Sequence, residues 1–317
     1  MFMQKGETMR SGRPADLIVG SVQLGLAYGA ANRTGKPDRQ TALRLVRRAV
    51  DAGVAGFDTA RAYGDSEDRL GEALKGLRIP TVTKLSPLSG LAADASRETI
   101  TAAVDASIAM SLAALQRDRL DCLLLHRALQ LTAFDGAVWK RLEHHLARGT
   151  VGALGVSVQS PAEALVALAY GNVRHLQLPF NVLDWRWAET GAIEAIRSKR
   201  SVTVHVRSAL LQGVLAAGDP LVWPRVEGAD ARALIVWLND TVRRFGRQSV
   251  ADLCLAYVRA QDWIDGVVIG METEEQLEAN LLLSTRPPLA FADCAAIEAG
   301  RPRVPEQLLD PACWPPR

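Results

Sequence analysis

Residues 56–67 read G-F-D-T-A-R-A-Y-G-D-S-E. The apolar approach through Val54, Ala55 and Phe57 has the character of a buried strand, and it stops at Asp58 and Thr59, residue types that begin turns and cap helices. Five residues beyond Asp58 comes Tyr63, followed by Gly64 and by Ser66, which is expected to N-cap a helix running through Leu70 and Leu74. Strand, polar loop and helix in that order make one βα unit. Its loop holds two groups able to exchange protons, Asp58 and Tyr63.

The same unit recurs on both sides. Before it, residues 17–26 (LIVGSVQLGL) are strand-like with two glycines, where Gly25 reads either as a tight barrel interior or as a point of close ligand approach. A polar insertion, residues 30–39, leads to a helix at 41–52 in which Leu43, Val46 and Val50 recur at helical spacing. After it, strands are expected at 81–85, 120–125, 151–158, 175–178, 202–206 and 266–269. Helical stretches at 97–115, 136–148, 161–169, 188–198, 232–245, 250–259 and 273–283 separate or follow them, and a long irregular loop occupies 210–227. Apolar strands without alternation, separated by helices, indicate parallel strands covered on the outside. Eight such units predict an α/β fold, a single-domain (β/α)8 TIM barrel, with its site at the C-terminal ends of the strands. The 317 residues suit that fold, which needs about 250 plus insertions. Residues 1–16 read as a poorly ordered N-terminal arm and 17–317 as the barrel, with a C-terminal tail from about 286.

Composition narrows the partners. A formal charge of +2, from acids and bases spread along the chain, leaves no electrostatic footprint for nucleic acid or an anionic membrane, so small molecules are the expected partners. Cys122, Cys254, Cys294 and Cys313 lie far apart, without the paired spacing of zinc or redox motifs, and no signal peptide or run of ~20 apolar residues is present. A cytoplasmic protein with reduced thiols is expected. The five histidines offer no H-x-H pair at a strand end, so no metal site is expected.

In the barrel, Asp58, Tyr63, Lys84 and His126 come from the ends of the second, third and fourth strands and should converge at one mouth. With these residues the chain resembles the aldo-keto reductase family over about residues 17–283. The motif D-T-A-x-x-Y-G-x-S-E is carried by Asp58, Thr59, Ala60, Tyr63, Gly64, Ser66 and Glu67, the lysine strand by Thr83 and Lys84, and the D-x-L-L-L-H segment by Asp121 and His126. The resemblance implies an NADP(H)-dependent oxidoreductase that reduces an aldehyde or ketone to an alcohol. Tyr63 would be the general acid, Lys84 and Asp58 its support, and His126 the group that orients the carbonyl. A phenol of ordinary pKa about 10 needs a neighbouring cation to favour its phenolate, and a carboxylate keeps that cation charged.

The resemblance also implies a cofactor surface. Ser157 and Gln177 would hydrogen-bond the nicotinamide carboxamide, although Val158 stands where the family often has Asn. Arg207 takes the place of an aromatic residue against the nicotinamide. Ser208, Leu210 and Gly213 belong to the loop expected over the pyrophosphate, with Gly25 near the ligand. Gly270, Thr273, Gln276 and Asn280 match the adenosine-phosphate segment. Family members that prefer NADPH often carry Lys or Arg in that segment; this chain has Met271, Glu272, Glu274 and Glu275, which keeps NAD(H) open beside NADP(H). The loop 127–135, Trp185, Trp187 and the C-terminal tail are expected to shape the substrate pocket. Val158 and Arg207 also raise an alternative, a catalytically weak nucleotide-binding regulator or redox sensor.

Overall fold

A computed structural model describes residues 14–315. Eight strands close into a barrel in sequence order: β1 (Asp16–Gly20), β2 (Gly56–Asp58), β3 (Thr81–Lys84), β4 (Cys122–Leu125), β5 (Leu154–Ser157), β6 (Val173–Pro179), β7 (Thr203–Arg207) and β8 (Gly266–Gly270). All neighbours are parallel, and β1 closes the ring against β8 from Asp16↔Gly266 to Gly20↔Gly270. The expected (β/α)8 barrel is therefore the observed one. Helices begin where the local chemistry starts them: Asp38, Ser96, Ser160, Asp230, Ser249 and Thr273 each accept a backbone N–H of the first helical turn.

Three expectations change. The strand-like run 17–26 stops at Gly20 because Ser21 N–H and Oγ–H both donate to Asp58 O, at 2.9 and 2.8 Å, and Val22–Gly25 then form a helical turn. The helix expected at 188–198 is two helices, Arg186–Glu189 and Ala192–Ser198, interrupted at Gly191 with φ of 72°. Asp16 already lies in β1 and Ala15 is buried, so of the expected arm only residues 1–13 lie outside the described residues. The tail from 286 carries helices Phe291–Gly300 and Glu306–Leu309, and Pro316 lies outside the described residues.

The main apolar core lies between the outward faces of the strands and the helices. Trp187 is one of its largest wholly buried side chains, and Trp185 donates to Val304 O at 2.9 Å beneath the guanidinium of Arg303. Trp185 thus packs against the tail, and Trp187 is sealed in the core, donating to Asp184 Oδ2 at 3.2 Å. Among the described residues no helix is long and apolar enough to cross a membrane.

Inside the barrel, Val82, Cys122 and Leu124 form a small separate apolar cluster. Two residues along the same strands come Lys84 and, just past β4, His126, so strand periodicity stacks the polar layer directly above this plug. A buried pair of histidines was not anticipated: His175 and His205 meet edge to face with ring centroids 4.3 Å apart. Burial pushes His205 down to about 4 and His175 well below the usual histidine value. Both stay neutral in the fold but protonate near pH 6.5 once unfolded. Stability is thus present above pH ~6.5 and falls as pH drops toward about 4, by up to ~1.4 kcal/mol per pH unit for each histidine. Urea denaturation between pH 7 and 4.5 measures this slope. A His175→Leu/His205→Leu double variant with the same slope would contradict the burial account.

Candidate active site

Asp58 and Lys84 are the last residues of β2 and β3, and both are buried. Lys84 Nζ lies 2.6 Å from Asp58 Oδ1 and donates to Thr59 O at 2.9 Å. Above this pair the Tyr63 ring centroid is 5.0 Å from Nζ, and the Tyr63 and His126 rings meet edge to face at 5.7 Å. The four residues, picked from three consecutive βα units, thus share one mouth.

Burial alone would strip Lys84 of its proton. The Asp58 carboxylate and the neighbouring Tyr63 outweigh it, so the lysine pKa lies above its ordinary value and the ammonium persists. His126 goes the other way: burial first, then the positive charge of Lys84, lower it to about 4. Its Nδ1 is buried without a partner among the described residues. A neutral imidazole with one N–H to offer therefore faces the mouth across the physiological pH range.

The motif around Tyr63 is a positioning device. Ser66 does not N-cap the helix; Asp65 occupies the cap position without a side-chain bond, and Ser66 begins helix Ser66–Ala73. The Ser66 hydroxyl is instead buried against Ser21, 2.9 Å from its carbonyl oxygen and 2.7 Å from its hydroxyl, tying the loop to the end of β1. Glu67 accepts from Thr83 Oγ1 at 2.6 Å and pairs with Arg61, anchoring the same loop to β3. Gly25 is buried with its missing Cβ position 1.8 Å from Tyr63 O. Of the two readings of Gly25, the tight interior is the one the packing supports. Gly25→Ala should push the Tyr63 backbone outward, costing ~1–3 kcal/mol and lowering kcat with it. A thermal melt and an activity assay check this; full activity at unchanged Tm would show the contact to be soft.

Gln177 has a partner that sequence reasoning missed. Its Nε2 donates to Asp58 Oδ2 at 2.7 Å, so the two carboxylate oxygens serve Lys84 and Gln177 respectively. One proton of this amide therefore belongs to the acid device. Ser157, paired with Gln177 across β5 and β6, is buried and its hydroxyl makes no hydrogen bond among the described residues. Val158 is buried and offers no amide. Arg207 lies beside it, donating through Nη2 to Val158 O at 3.2 Å and to Gln159 Oε1 at 2.7 Å. The two departures from the family pattern are thus a single bonded unit joining the ends of β5 and β7.

Beyond Arg207 the backbone turns left-handed at Ser208, Leu211, Gln212 and Gly213, with φ of 62°, 47°, 56° and 84°. Leu210 and Gly213 are half-buried in this segment. Gln212 clamps the loop to the one after β1: its Oε1 accepts from Ala30 N at 3.1 Å, its O from Ala31 N at 3.2 Å, and its Nε2 donates to Tyr28 OH at 3.1 Å. Tyr28 is near enough to Tyr63 and Arg207 to feel both electrostatically. It was hidden in a stretch that reads as ordinary loop; an aromatic just ahead of a polar insertion was its only signal.

At β8, a Cβ on Gly270 would meet Gln23 Oε1 at 2.2 Å, so the Gln23 amide would have to move to admit it. Thr273 caps helix Glu274–Thr285. Gln276 donates to Glu272 Oε1 at 2.9 Å and accepts from Glu272 N at 3.0 Å. Asn280 is buried with a carboxamide that makes no hydrogen bond among the described residues. These four form their own group at the rim, beside the mouth.

The sequence profile of the aldo/keto reductase family matches residues 16–300. The chain belongs to that family. Among curated proteins, the aldo-keto reductase YhdN of Bacillus subtilis is 28% identical over 291 residues, covering 84% of this chain and 86% of the relative. Among solved structures, the holo form of a Bacillus halodurans aldo-keto reductase superposes with a TM-score of 0.72 at 23% identity, covering 96% of this chain and 99% of that one. Its apo form gives 0.69 at 21% over the same coverage. These two establish the likeness of fold. Membership in the aldo-keto reductases makes the chain an oxidoreductase, a family that works with nicotinamide nucleotides on small carbonyl substrates.

Proposed function

We propose that this aldo-keto reductase reduces an aldehyde or ketone to the alcohol with NAD(P)H, using Tyr63 as the general acid. The observation that carries the reading is the buried Lys84–Asp58 pair, 2.6 Å apart, directly beneath the Tyr63 ring with His126 at its edge. The nucleotide, when bound, supplies the hydride. Everything else falls to the chain's own side chains. The His126 N–H donates to the carbonyl oxygen and aims it at Tyr63. Tyr63 O–H gives its proton to that oxygen as negative charge develops there. The Lys84 ammonium steadies the phenolate left behind, Asp58 keeps the ammonium charged, and Gln177 holds Asp58 in place. Hydride on carbon and proton on oxygen complete the alcohol.

Residues that fit a nucleotide are present. The unbonded Ser157 hydroxyl suits the nicotinamide carboxamide, the Arg207 guanidinium is planar and suits its ring face, and the unbonded Asn280 carboxamide suits the adenine. The clamped segment with Ser208, Leu210 and Gly213 would hold the pyrophosphate. We place the work in the cytoplasm, where the four free cysteines remain thiols. NADPH and NADH oxidation against a panel of aldehydes and ketones tests the proposal. Measurable nucleotide binding with no turnover on any carbonyl would instead favour the regulator reading that Val158 and Arg207 suggest.

A further inference from the structure

We propose that Glu272 selects NAD(H) and rejects the 2′-phosphate of NADP(H); this rests on the carbonyl reductase reading above and names the cofactor of that same site. Four observations carry it.

First, a polar ligand has partners at this rim. Asn280 is 8% exposed, yet its carboxamide makes no hydrogen bond among the described residues. The residue is enclosed but its amide atoms are not among the fully enclosed unpartnered ones, so a donor and an acceptor stay open to a polar ligand there. It lies on helix Glu274–Thr285, whose N-terminus, capped by Thr273, opens on the same rim.

Second, Glu272 sits where that helix begins and is 9% exposed. Its Oε1 accepts from Gln276 Nε2 at 2.9 Å, its backbone N–H donates to Gln276 Oε1 at 3.0 Å, and its Oε2 has no partner among the described residues. Gln276 thereby holds the carboxylate in one place. An ionised carboxylate only accepts hydrogen bonds. It complements the vicinal hydroxyls of an unphosphorylated ribose, both of which donate, and it repels a phosphate carrying nearly two negative charges.

Third, no cation at Glu272 offsets that repulsion. Among the described residues Glu272 is in no ion pair. The two guanidinium groups that reach this helix are already neutralised: Arg44 Nε lies 3.0 Å from Glu274 Oε1, and Arg48 binds Glu278 through Nε at 2.5 Å and Nη2 at 2.9 Å. The acidic residues of the segment therefore divide into two kinds. Glu274 and Glu278 brace the helix against residues 39–51; of the two that are in no ion pair among the described residues, Glu275 is exposed and Glu272 is the buried one.

Fourth, the neighbouring backbone leaves little freedom to move the carboxylate aside. Gly270 is packed against the Gln23 amide, and Met271 is buried. The helix dipole at Thr273 favours an anion, but it is diffuse and a fixed charge at hydrogen-bonding range exceeds it.

The test is binding, read by quenching of tryptophan fluorescence with NADH and with NADPH on the full chain. The expected result is an NADH Kd at least about tenfold below the NADPH Kd, ~1.4 kcal/mol of discrimination. Glu272→Gln keeps the contact with Gln276 but removes the charge, and should shrink the ratio toward one mainly by improving NADPH. Competition with 5′-AMP and with adenosine 2′,5′-bisphosphate in wild type and variant reports the same discrimination without the nicotinamide half. Tighter NADPH than NADH binding in the wild type, or a ratio unmoved in Glu272→Gln, overturns the role of Glu272 and leaves the reductase reading standing. Failure of both nucleotides to bind overturns the two together.

Discussion

Tyr63→Phe is expected to lower kcat by ~10²–10⁴-fold while leaving nucleotide affinity and Tm nearly unchanged. The ring remains, so its edge contact with His126 and its position over Lys84 survive. Only the proton donor is lost. The neutral His126 imidazole can still hydrogen-bond a carbonyl oxygen, but protonating it fully would demand an imidazolate, which is inaccessible in water near neutral pH. The Lys84 ammonium is occupied by Asp58 and Thr59 O. Steady-state kinetics on any active carbonyl, with nucleotide binding measured in parallel, decides the matter. A variant that retained most of its kcat would remove Tyr63 from the chemistry.

Asp58→Asn should damage stability and activity together. Lys84 is 1% exposed, so removing its counter-charge strands a buried cation, for which about 3–5 kcal/mol of destabilisation is the usual scale. The pH dependence follows in sign. In the wild type the Lys84 pKa is raised above 10.5, so the contribution of the pair is complete below that value and is lost as pH rises through the folded pKa. In Asp58→Asn burial acts unopposed and drives the lysine pKa down, so the amine tends toward neutrality where the wild type is charged. Gln177 Nε2 also loses a charged acceptor. Between pH 7 and pH 10 the pair's contribution in wild type should therefore hold constant, whereas the variant, whose buried lysine sheds its proton before the unfolded chain does, should gain stability as pH rises; denaturant unfolding at the two pH values reads the difference. Equal slopes would mean that the pair does not carry the Lys84 shift. Activity should fall because a phenolate without an adjacent ammonium is disfavoured, and a kcat unchanged at pH 7 would argue that Tyr63 works without the pair.

How much of this was legible in the sequence depended on range. Helix starts such as those after Ser96 and Ser160 are local events, a cap side chain bonding a backbone N–H three residues on, and these helices begin at residues 97 and 161, where the sequence reading began them. Ser66 read the same way and was misassigned, because Ser21, 45 positions away in sequence, holds its hydroxyl. The run 17–26 looked like one strand for the same reason: what ends it at Gly20 is the carbonyl of Asp58. Trp185 read as a loop aromatic, and its contacts to Val304 and Arg303, more than a hundred residues later, were not visible in the sequence.

The site divides along the same line. The order of apolar runs and helical periods determined the eight-unit barrel, since a strand too apolar to face water on either side must lie between helices, and right-handed βα repeats of that kind close on themselves. Strand ends then placed Asp58, Lys84 and His126 at one mouth with Tyr63 above them. Only the tertiary structure decided how those residues are bonded: that Gln177 turns to Asp58, that Arg207 and Val158 are one unit, that His175 and His205 stack in the interior, and that Glu274 and Glu278 are neutralised while Glu272 is not. The physical reason is that hydrogen bonds and ion pairs act over about 3 Å. A sequence lists the donors and acceptors, and the closed barrel determines which of them come within that distance.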